Sequence, residues 1–165
     1  MFISGGAMRA ETILNEWLGA IEPEKGRKIT LDSDNVAHVS IDGDFAMGIT
    51  VNPDTRMIGF VAFLLNAPDI SHGTLLRAIL SMNLALLAVH NATLAVDERS
   101  GQLVFGRTVS IEPLDQESFF KLLLQTIEIA KTAREGVENA GKLGENAEAT
   151  MSAEDAAGEE VWLKL

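Results

Sequence analysis

Apolar and polar residues alternate along this chain with two different periods, which predict where helices and strands lie. Between residues 10 and 21 the apolar positions follow helical spacing and form one stripe: Ile13, Leu14, Trp17, Leu18 and Ile21. From about residue 29 to residue 65, apolar and polar residues alternate in short runs separated by turn residues such as Asn52-Pro53-Asp54. The pattern predicts a helix followed by a meander of three or four antiparallel strands, the first of them at Ile29–Leu31.

The second half of the chain repeats this alternation of helix and strands. A second helix is predicted from about Thr74 to His90, two further strands over 93–96 and 103–111, and a last helix from Asp115 to about Glu135. Asp115 follows Pro113 and is a good N-cap. The predicted fold is therefore α+β, in the order α-βββ-α-ββ-α, with a twisted antiparallel sheet flanked by helices.

A change of composition at Gly136 divides the chain into a predicted domain, residues 8–135, and a tail, residues 136–165. The tail is acidic and rich in Ala, Glu and Gly, and we expect it to be largely disordered or loosely helical. Its last five residues, Val161–Leu165, are apolar again. They could dock on the domain or on a partner, or form a frayed terminus, and the sequence does not decide their role.

The second predicted helix is apolar on all sides, interrupted only by Arg77, Ser81 and Asn83. Such a helix must be covered on both sides, and a second copy of the chain is an economical cover. We therefore predict a homodimer with an interface formed by Leu76, Ile79, Leu80, Asn83, Leu84 and Leu87. The alternative is a central helix that is fully buried inside one protomer.

The run from Met57 to Leu65 is apolar on both faces of a predicted strand. One face carries Ile58, Phe60, Ala62 and Leu64, and the other carries Met57, Val61, Phe63 and Leu65. A strand with one solvated face would alternate with polar residues. Either both faces are covered, or one face is an exposed apolar groove that binds a partner.

Charge and composition exclude several classes of protein. The chain has 165 residues, which suits one domain with a tail, and its net charge of −11 predicts no binding to nucleic acid or anionic membranes. The longest apolar run, Leu84–Val89, is far shorter than the roughly 20 residues that a membrane span needs, so we predict no membrane insertion. There is no cysteine, and residues 1–9 do not resemble a signal peptide, so we expect a cytoplasmic protein.

No pattern of reactive residues indicates an enzyme. The histidines His38, His72 and His90 have no metal-ligand spacing, and the pairs Asp32/Asp34 and Asp42/Asp44 suit turns better than a calcium loop. Phosphate-binding and nucleophile motifs are absent from the sequence. We predict no catalytic residue, no metal and no cofactor.

Residues spread from Ala10 to Arg134 resemble the type III secretion chaperones of the Tir-chaperone family. They are Leu14, Leu18-Gly19, Ile41-Asp42-Gly43, Leu75-Leu76, Leu80, Asn83, Leu94–Asp97, Gly101–Phe105, Leu114-Asp115, Phe119, Leu123, Ile127, Ala130 and Arg134. The family is also similar in size, acidity and order of elements.

The resemblance implies a homodimer around which the N-terminal segment of a secreted effector wraps, partly extended, and is kept soluble and export-competent. On this view Trp17, Phe45, Ile58 and Phe60 are the candidates to line the effector-binding groove, although ordinary core packing is the alternative for each. The alternative function is a regulatory or structural protein-interaction domain of the same fold that takes no part in secretion.

Overall fold

The computed structural model describes residues 9–21, 28–41, 45–66 and 73–158, with the backbone alone described at residue 74 and from residue 143 onward. Within these residues the elements follow the predicted order α-βββ-α-ββ-α. Their bounds are α1 Ala10–Gly19, β1 Val36–Ile41, β2 Phe45–Asn52, β3 Met57–Asn66, α2 Gly73–His90, β4 Ala92–Asp97, β5 Gln102–Ser110 and α3 Gln116–Gly158. The predicted α+β fold class is confirmed.

The five strands form one antiparallel sheet in the order β1-β2-β3-β5-β4. The long strand β3 is central, and β1 and β4 are the two edges. Val61 of β3 lies opposite Gly48 of β2 on one side and Gly106 of β5 on the other. The pairing of β3 with β5 is irregular only between Phe63 and Leu65.

The core lies between one face of the sheet and the helices α1 and α3. Phe119 of α3 is its centre, with ring centroids 5.3 Å from Trp17 of α1 and 6.5 Å from Phe60 of β3. Along β2 and β3 every second residue is buried, which is the spacing that places side chains on one face of a strand. The helical face of the central strands β2 and β3 is therefore covered by the chain itself.

Side-chain caps fix where the helices and turns lie. Asp115 is the predicted N-cap of α3, and its Oδ1 accepts a hydrogen bond of 2.8 Å from the backbone N–H of Ser118. Asn91 has a φ of 50°, a left-handed conformation that asparagine tolerates, and it turns the chain from α2 into β4. In the β2–β3 turn, Asn52 Oδ1 accepts hydrogen bonds from the N–H groups of Asp54 and Thr55.

Helix α3 runs back along α2. Near the C-terminal end of α2, Arg107 lies opposite Ala92 and donates a hydrogen bond to Thr126 of α3. Ten residues further on, Gly136 lies against Met82 in the middle of α2: a Cβ on Gly136 would be 2.7 Å from the Met82 methyl carbon. The two helices are therefore antiparallel where they meet.

Two predicted boundaries are wrong. Residues 29–31 form no strand, because Leu31 donates its N–H to Asn15 Oδ1 of α1 rather than to a neighbouring strand. Helix α3 does not end near Glu135 but continues to Gly158, with Val137 buried and Ala140 half-buried. The Asp42–Asp44 turn, His72 and the apolar end Val161–Leu165 lie outside the described residues.

Candidate functional site: an open sheet face and an apolar helix ridge

Strand β3 separates two apolar faces with different surroundings. Ile58, Phe60, Ala62 and Leu64 are buried against the helices. The alternate residues are only partly covered, and the ring of Phe63 is 45% exposed. Met57, Val61 and Phe63 of the second predicted set therefore belong to the accessible side of the sheet. Leu65 does not, because after the irregularity in β3 it pairs with the buried Leu103 and packs against the core.

The four residues predicted to line an effector groove lie on the other side. Trp17, Phe45, Ile58 and Phe60 are all buried in the core beneath α1 and α3. A segment could meet them only after a helix had moved away. Their placement favours the alternative of core packing, and the surface available to a partner lies elsewhere.

We call the accessible side the open sheet face. Its strand positions alternate with the buried ones: His38, Ser40, Ala46, Gly48, Thr50, Gly59, Val61, Phe63, Thr93, Ala95, Val104, Gly106 and Thr108. Apart from His38, these side chains are small, apolar or hydroxyl-bearing, and none is a Lys or Arg. By register Asp97, at the end of β4, lies on the same face, and its carboxylate bonds Ser100 and the Arg99 N–H. In a chain of net charge −11, a face of this size with one acidic group at its rim is suited to contact rather than to solvation.

A shallow groove of about 380 Å³ crosses the open sheet face at right angles to the strands. We call it the cross-strand groove. Its floor is formed by the strand residues Gly59, Val61 and Gly106, and Leu87 lies at its α2 end. The remaining lining residues are Thr50, Phe60, Asn91, Thr93, Arg107 and Thr108. It thus connects the open sheet face to helix α2.

Helix α2 presents an exposed apolar stripe on the side that faces away from the core. We call this stripe the leucine ridge: Leu76, Leu80, Leu84 and Leu87, with exposed fractions from 42% to 71%. The spacing of four, four and three residues places them on one face of the helix. One protomer therefore does not enclose α2, and the alternative of a helix fully buried in a single chain is wrong.

Two of the six predicted interface residues point inward instead. Ile79 is buried, and Asn83 is hydrogen-bonded to the edge strand β4. The Asn83 side chain accepts a 2.8 Å bond from the N–H of Leu94 and donates a 3.0 Å bond to its carbonyl oxygen. Only the four leucines of the ridge remain as candidates for an interface.

The bonds of Asn83 also close an edge of the sheet. Leu94 directs both backbone groups away from β5, so that a strand arriving at β4 would find them already bonded. On the other edge, the Asp32 carboxylate accepts a 3.0 Å bond from the N–H of Val36, and the backbone N–H of Asp32 donates a 2.9 Å bond to the Val36 carbonyl oxygen. One polar residue occupies the outward backbone groups at each edge.

Among the described residues, two positions of the edge strand β1 have outward backbone groups without a hydrogen bond. Val51 of β2 donates its N–H to the carbonyl oxygen of Asn35, which shows which residues of β1 direct their backbone groups toward β2. The backbone groups of the alternate residues Val36, His38 and Ser40 therefore point outward. Within the described ranges, no hydrogen bond reaches the outward groups of His38 and Ser40. An extended segment could pair with β1 at these two residues.

Arg107 fixes α3 to the sheet. Its guanidinium donates to the Thr126 hydroxyl at 2.9 Å, and Thr126 donates in turn to the Leu122 carbonyl oxygen. Burial lowers the pKa of Arg107 from its ordinary value. Its contacts indicate a structural role.

The described part of the chain offers no group of His, Cys, Asp and Glu that could hold a metal ion. None of its helices is long and apolar enough to cross a membrane.

This architecture, with a sheet covered on one face and an apolar helix at its edge, defines a class of small α+β binding proteins. The chain belongs to the Tir chaperone protein (CesT) family, whose model matches residues 22–134. The resemblance seen in the sequence is thereby confirmed, and the family's role is that of a chaperone, which is not catalytic. No curated protein sequence matches the chain as a relative.

Solved structures of low sequence identity share the fold. A chain of the ExsC–ExsE complex matches with a TM-score of 0.67 at 16% identity, over 78% of this chain and 96% of that one. A chain of the HopA1–SchA chaperone–effector complex matches with a TM-score of 0.61 at 19% identity, over 75% and 91%. YbjN from E. coli, described as a putative transcription regulator, matches with a TM-score of 0.53 at 19% identity, over 78% and 90%.

Sequence reasoning missed the residues that define the accessible surface. It chose three aromatic residues and an isoleucine for the groove, and large apolar residues are also what a core requires. The useful signal was the set of glycines within strands, Gly48, Gly59 and Gly106, together with the residues of β3 that alternate with the core positions.

Proposed function

We propose that this protein is a cytoplasmic, non-catalytic chaperone that binds the N-terminal segment of a type III secretion effector and keeps it soluble and competent for export. Family membership supports the chaperone role. The HopA1–SchA structure, a chaperone–effector complex of similar fold, supports an effector as the partner. The observation that carries the proposal is the continuous accessible surface formed by the open sheet face and the leucine ridge.

The leucine ridge suits a second copy of the chain. Fully burying a leucine contributes about 1.5–3 kcal/mol, and the ridge supplies four partly exposed leucines from each protomer. Association itself costs roughly 4–15 kcal/mol, so all of these leucines are needed for a stable pair. We propose a two-fold homodimer through the ridge.

The open sheet face and the free edge of β1 suit an unfolded segment. Such a segment has unpaired backbone groups and apolar side chains, and it loses conformational entropy when it is ordered. Pairing with His38 and Ser40 satisfies the backbone groups, and the sparsely charged open sheet face receives the side chains. A large, weakly polar surface offsets the entropy cost better than a single deep pocket.

The proposal is tested with a defined set of probes: overlapping segments that cover the N-terminal regions of all proteins exported by the type III system of the host. Binding of the full-length chain is measured by fluorescence anisotropy, and aggregation of each segment by light scattering. We expect at least one segment to bind and to stay soluble only when the chain is present. The C-terminal regions of the same proteins are the matched control.

If no N-terminal segment binds, or if C-terminal regions bind equally well, the chaperone proposal is wrong. The second candidate function is regulatory, because the fold of YbjN is also similar to that of this chain. A regulatory domain would bind a signalling or regulatory protein encoded beside it and none of the exported segments.

A further inference from the structure

Gly106 lies in the interior of β5 at a position where the chain itself has no need of glycine. Its backbone is not in the left-handed region, which among the described glycines only Gly101 occupies. A Cβ placed on Gly106 would meet only the Thr93 hydroxyl oxygen, at an ordinary contact distance of 3.7 Å. Because glycine weakens a strand relative to alanine, alanine would be the more stable residue here.

Glycine within a strand commonly marks a bulge, a sharp bend or a close approach of another backbone. No bulge lies here, since Gly106 pairs in register with Val61 on one side and Thr93 on the other. The remaining explanation is that another backbone approaches Gly106 closely from the open sheet face. Gly48, across Val61, also has room for a Cβ, at 3.7 Å from the Val61 carbonyl oxygen.

Gly59, unlike Gly106, is required by packing within the sheet itself. A Cβ on Gly59 would lie 2.6 Å from the Thr50 hydroxyl oxygen. Packing within the sheet therefore accounts for Gly59, but it does not account for Gly106.

The side chains around the cross-strand groove indicate which kind of polypeptide approaches Gly106. Thr93 and Thr108 supply hydroxyl groups, whereas the Thr50 hydroxyl and the Asn91 amide already donate to the carbonyl oxygens of Gly59 and Thr108. Val61 supplies apolar surface. An α-helix already satisfies its own backbone groups, whereas an extended chain needs partners for its N–H and C=O groups. The lining contains no carboxylate, and the guanidinium of its one cation, Arg107, is bonded to Thr126 of α3, so the groove suits an uncharged stretch.

We propose that the cross-strand groove seats an extended, uncharged stretch of the bound effector segment, whose backbone passes directly over Gly106. This inference rests on the proposed function and assigns it a site. The groove and the free edge of β1 then hold different parts of one segment, on the face and at the rim of the same sheet.

The test is Gly106→Ala in the full-length chain, with the tightest-binding segment of the set above as the fluorescent probe. We expect the thermal midpoint to stay the same or to rise by a few degrees, because alanine stabilises the strand. Affinity for the segment should fall about tenfold, since the new methyl group occupies the space of the passing backbone. Gly141→Ala is the matched control: it lies on α3 with open space around its Cβ, and its affinity should equal that of the unchanged protein.

A second measurement does not depend on how Gly106→Ala folds. The chain has no cysteine, so Thr108→Cys provides a unique attachment point for an environment-sensitive dye on the exposed rim of the groove. Addition of the segment should shift the emission of this dye. The same dye on Thr132→Cys, exposed on α3, should not respond.

Unchanged affinity in a folded Gly106→Ala protein overturns the inference while leaving the proposed function intact, and so does a silent dye at position 108. A change of molecular mass instead of segment affinity would mean that a second copy occupies the groove, which also overturns it. If no segment binds the unchanged protein, the proposed function itself has failed.

Discussion

Single polar residues control the edges of the sheet, and Asn83 is the clearest case. Its two hydrogen bonds satisfy the N–H and the carbonyl oxygen of Leu94, which is itself buried. The sequence could not show this role, because Asn83 interrupts an apolar helix at a position that suits a dimer contact equally well. The role depends on a strand that lies eleven residues further along the chain.

Asn83→Ala should lower the free energy of unfolding by about 1–3 kcal/mol, because it leaves both backbone groups of Leu94 without their partner. Chemical denaturation monitored by circular dichroism measures the loss. Gln125→Ala, an exposed site whose bond to Arg107 is long at 3.4 Å, is the control and should change stability little. Equal effects of the two substitutions would contradict the edge-closing role.

Ser40 tests the free edge of β1 through its backbone alone. Ser40→Pro removes the outward N–H, which a strand edge tolerates, and Ser40→Ala keeps it. The proline variant should bind the segment about fivefold more weakly, which is the value of roughly one hydrogen bond, and the alanine variant should bind as the unchanged protein does. Equal affinities by anisotropy would exclude pairing at this position.

Asp115 should make α3 sensitive to acid. Hydrogen bonds from the Ser118 hydroxyl and from its backbone N–H hold the pKa of Asp115 below its ordinary value. A lowered folded-state pKa stabilises the fold above the unfolded pKa of about 4, and this stability is lost as pH falls through the folded pKa. Thermal midpoints between neutral and acidic pH should therefore fall less for Asp115→Asn, which keeps a capping oxygen but does not titrate. Parallel pH profiles would refute this.

At the scale of elements, the sequence predicts well which helices and strands exist and in what order. It predicts less well where each element ends and which of its faces is buried. The alternation in β2 and β3 and the stripe of α1 are local patterns, and they locate those elements within a few residues. Which apolar face of β3 meets the helices is not local: it depends on where Phe119 of α3 packs.

The sequence pattern predicts too early an end for α3, because Gly136 resembles a helix terminator. In the fold it is a packing residue, since it allows α3 to lie close against Met82 of α2. The family model ends at residue 134, yet the next turn of α3 buries Val137 completely. This turn therefore belongs to the domain. The assignment of residues 136–165 as a separate tail stays a prediction for the part beyond it.

Truncation separates these two parts of α3. A chain ending at Arg134 should lose about 2 kcal/mol or more of unfolding free energy, because Val137 no longer covers the core. A chain ending at Lys142 keeps that turn and is the matched control. Denaturation curves decide between them, and coincident curves would show that residues 135–142 add nothing to the fold.

At the scale of the whole molecule, the leucine ridge should decide the assembly state. Leu84 is 71% exposed in the single chain, so Leu84→Glu should leave the protomer folded while placing a charge in the proposed dimer interface. We expect a dimer-to-monomer change in mass by light scattering. Leu124→Glu is the control, because Leu124 is 64% exposed but lies on α3. A monomeric unchanged protein, or an unaltered mass for Leu84→Glu, would refute the homodimer.

The open sheet face is sparsely charged within a chain of net charge −11, and this contrast affects how molecules meet in solution. Two molecules that approach one another meet mutual repulsion over about 8–10 Å, the screening distance at physiological salt, before their bare faces can touch. A neutral stretch of unfolded polypeptide meets no such barrier. The acidic surface therefore slows association between copies of the protein through their open sheet faces, but it does not slow the binding of an uncharged unfolded segment.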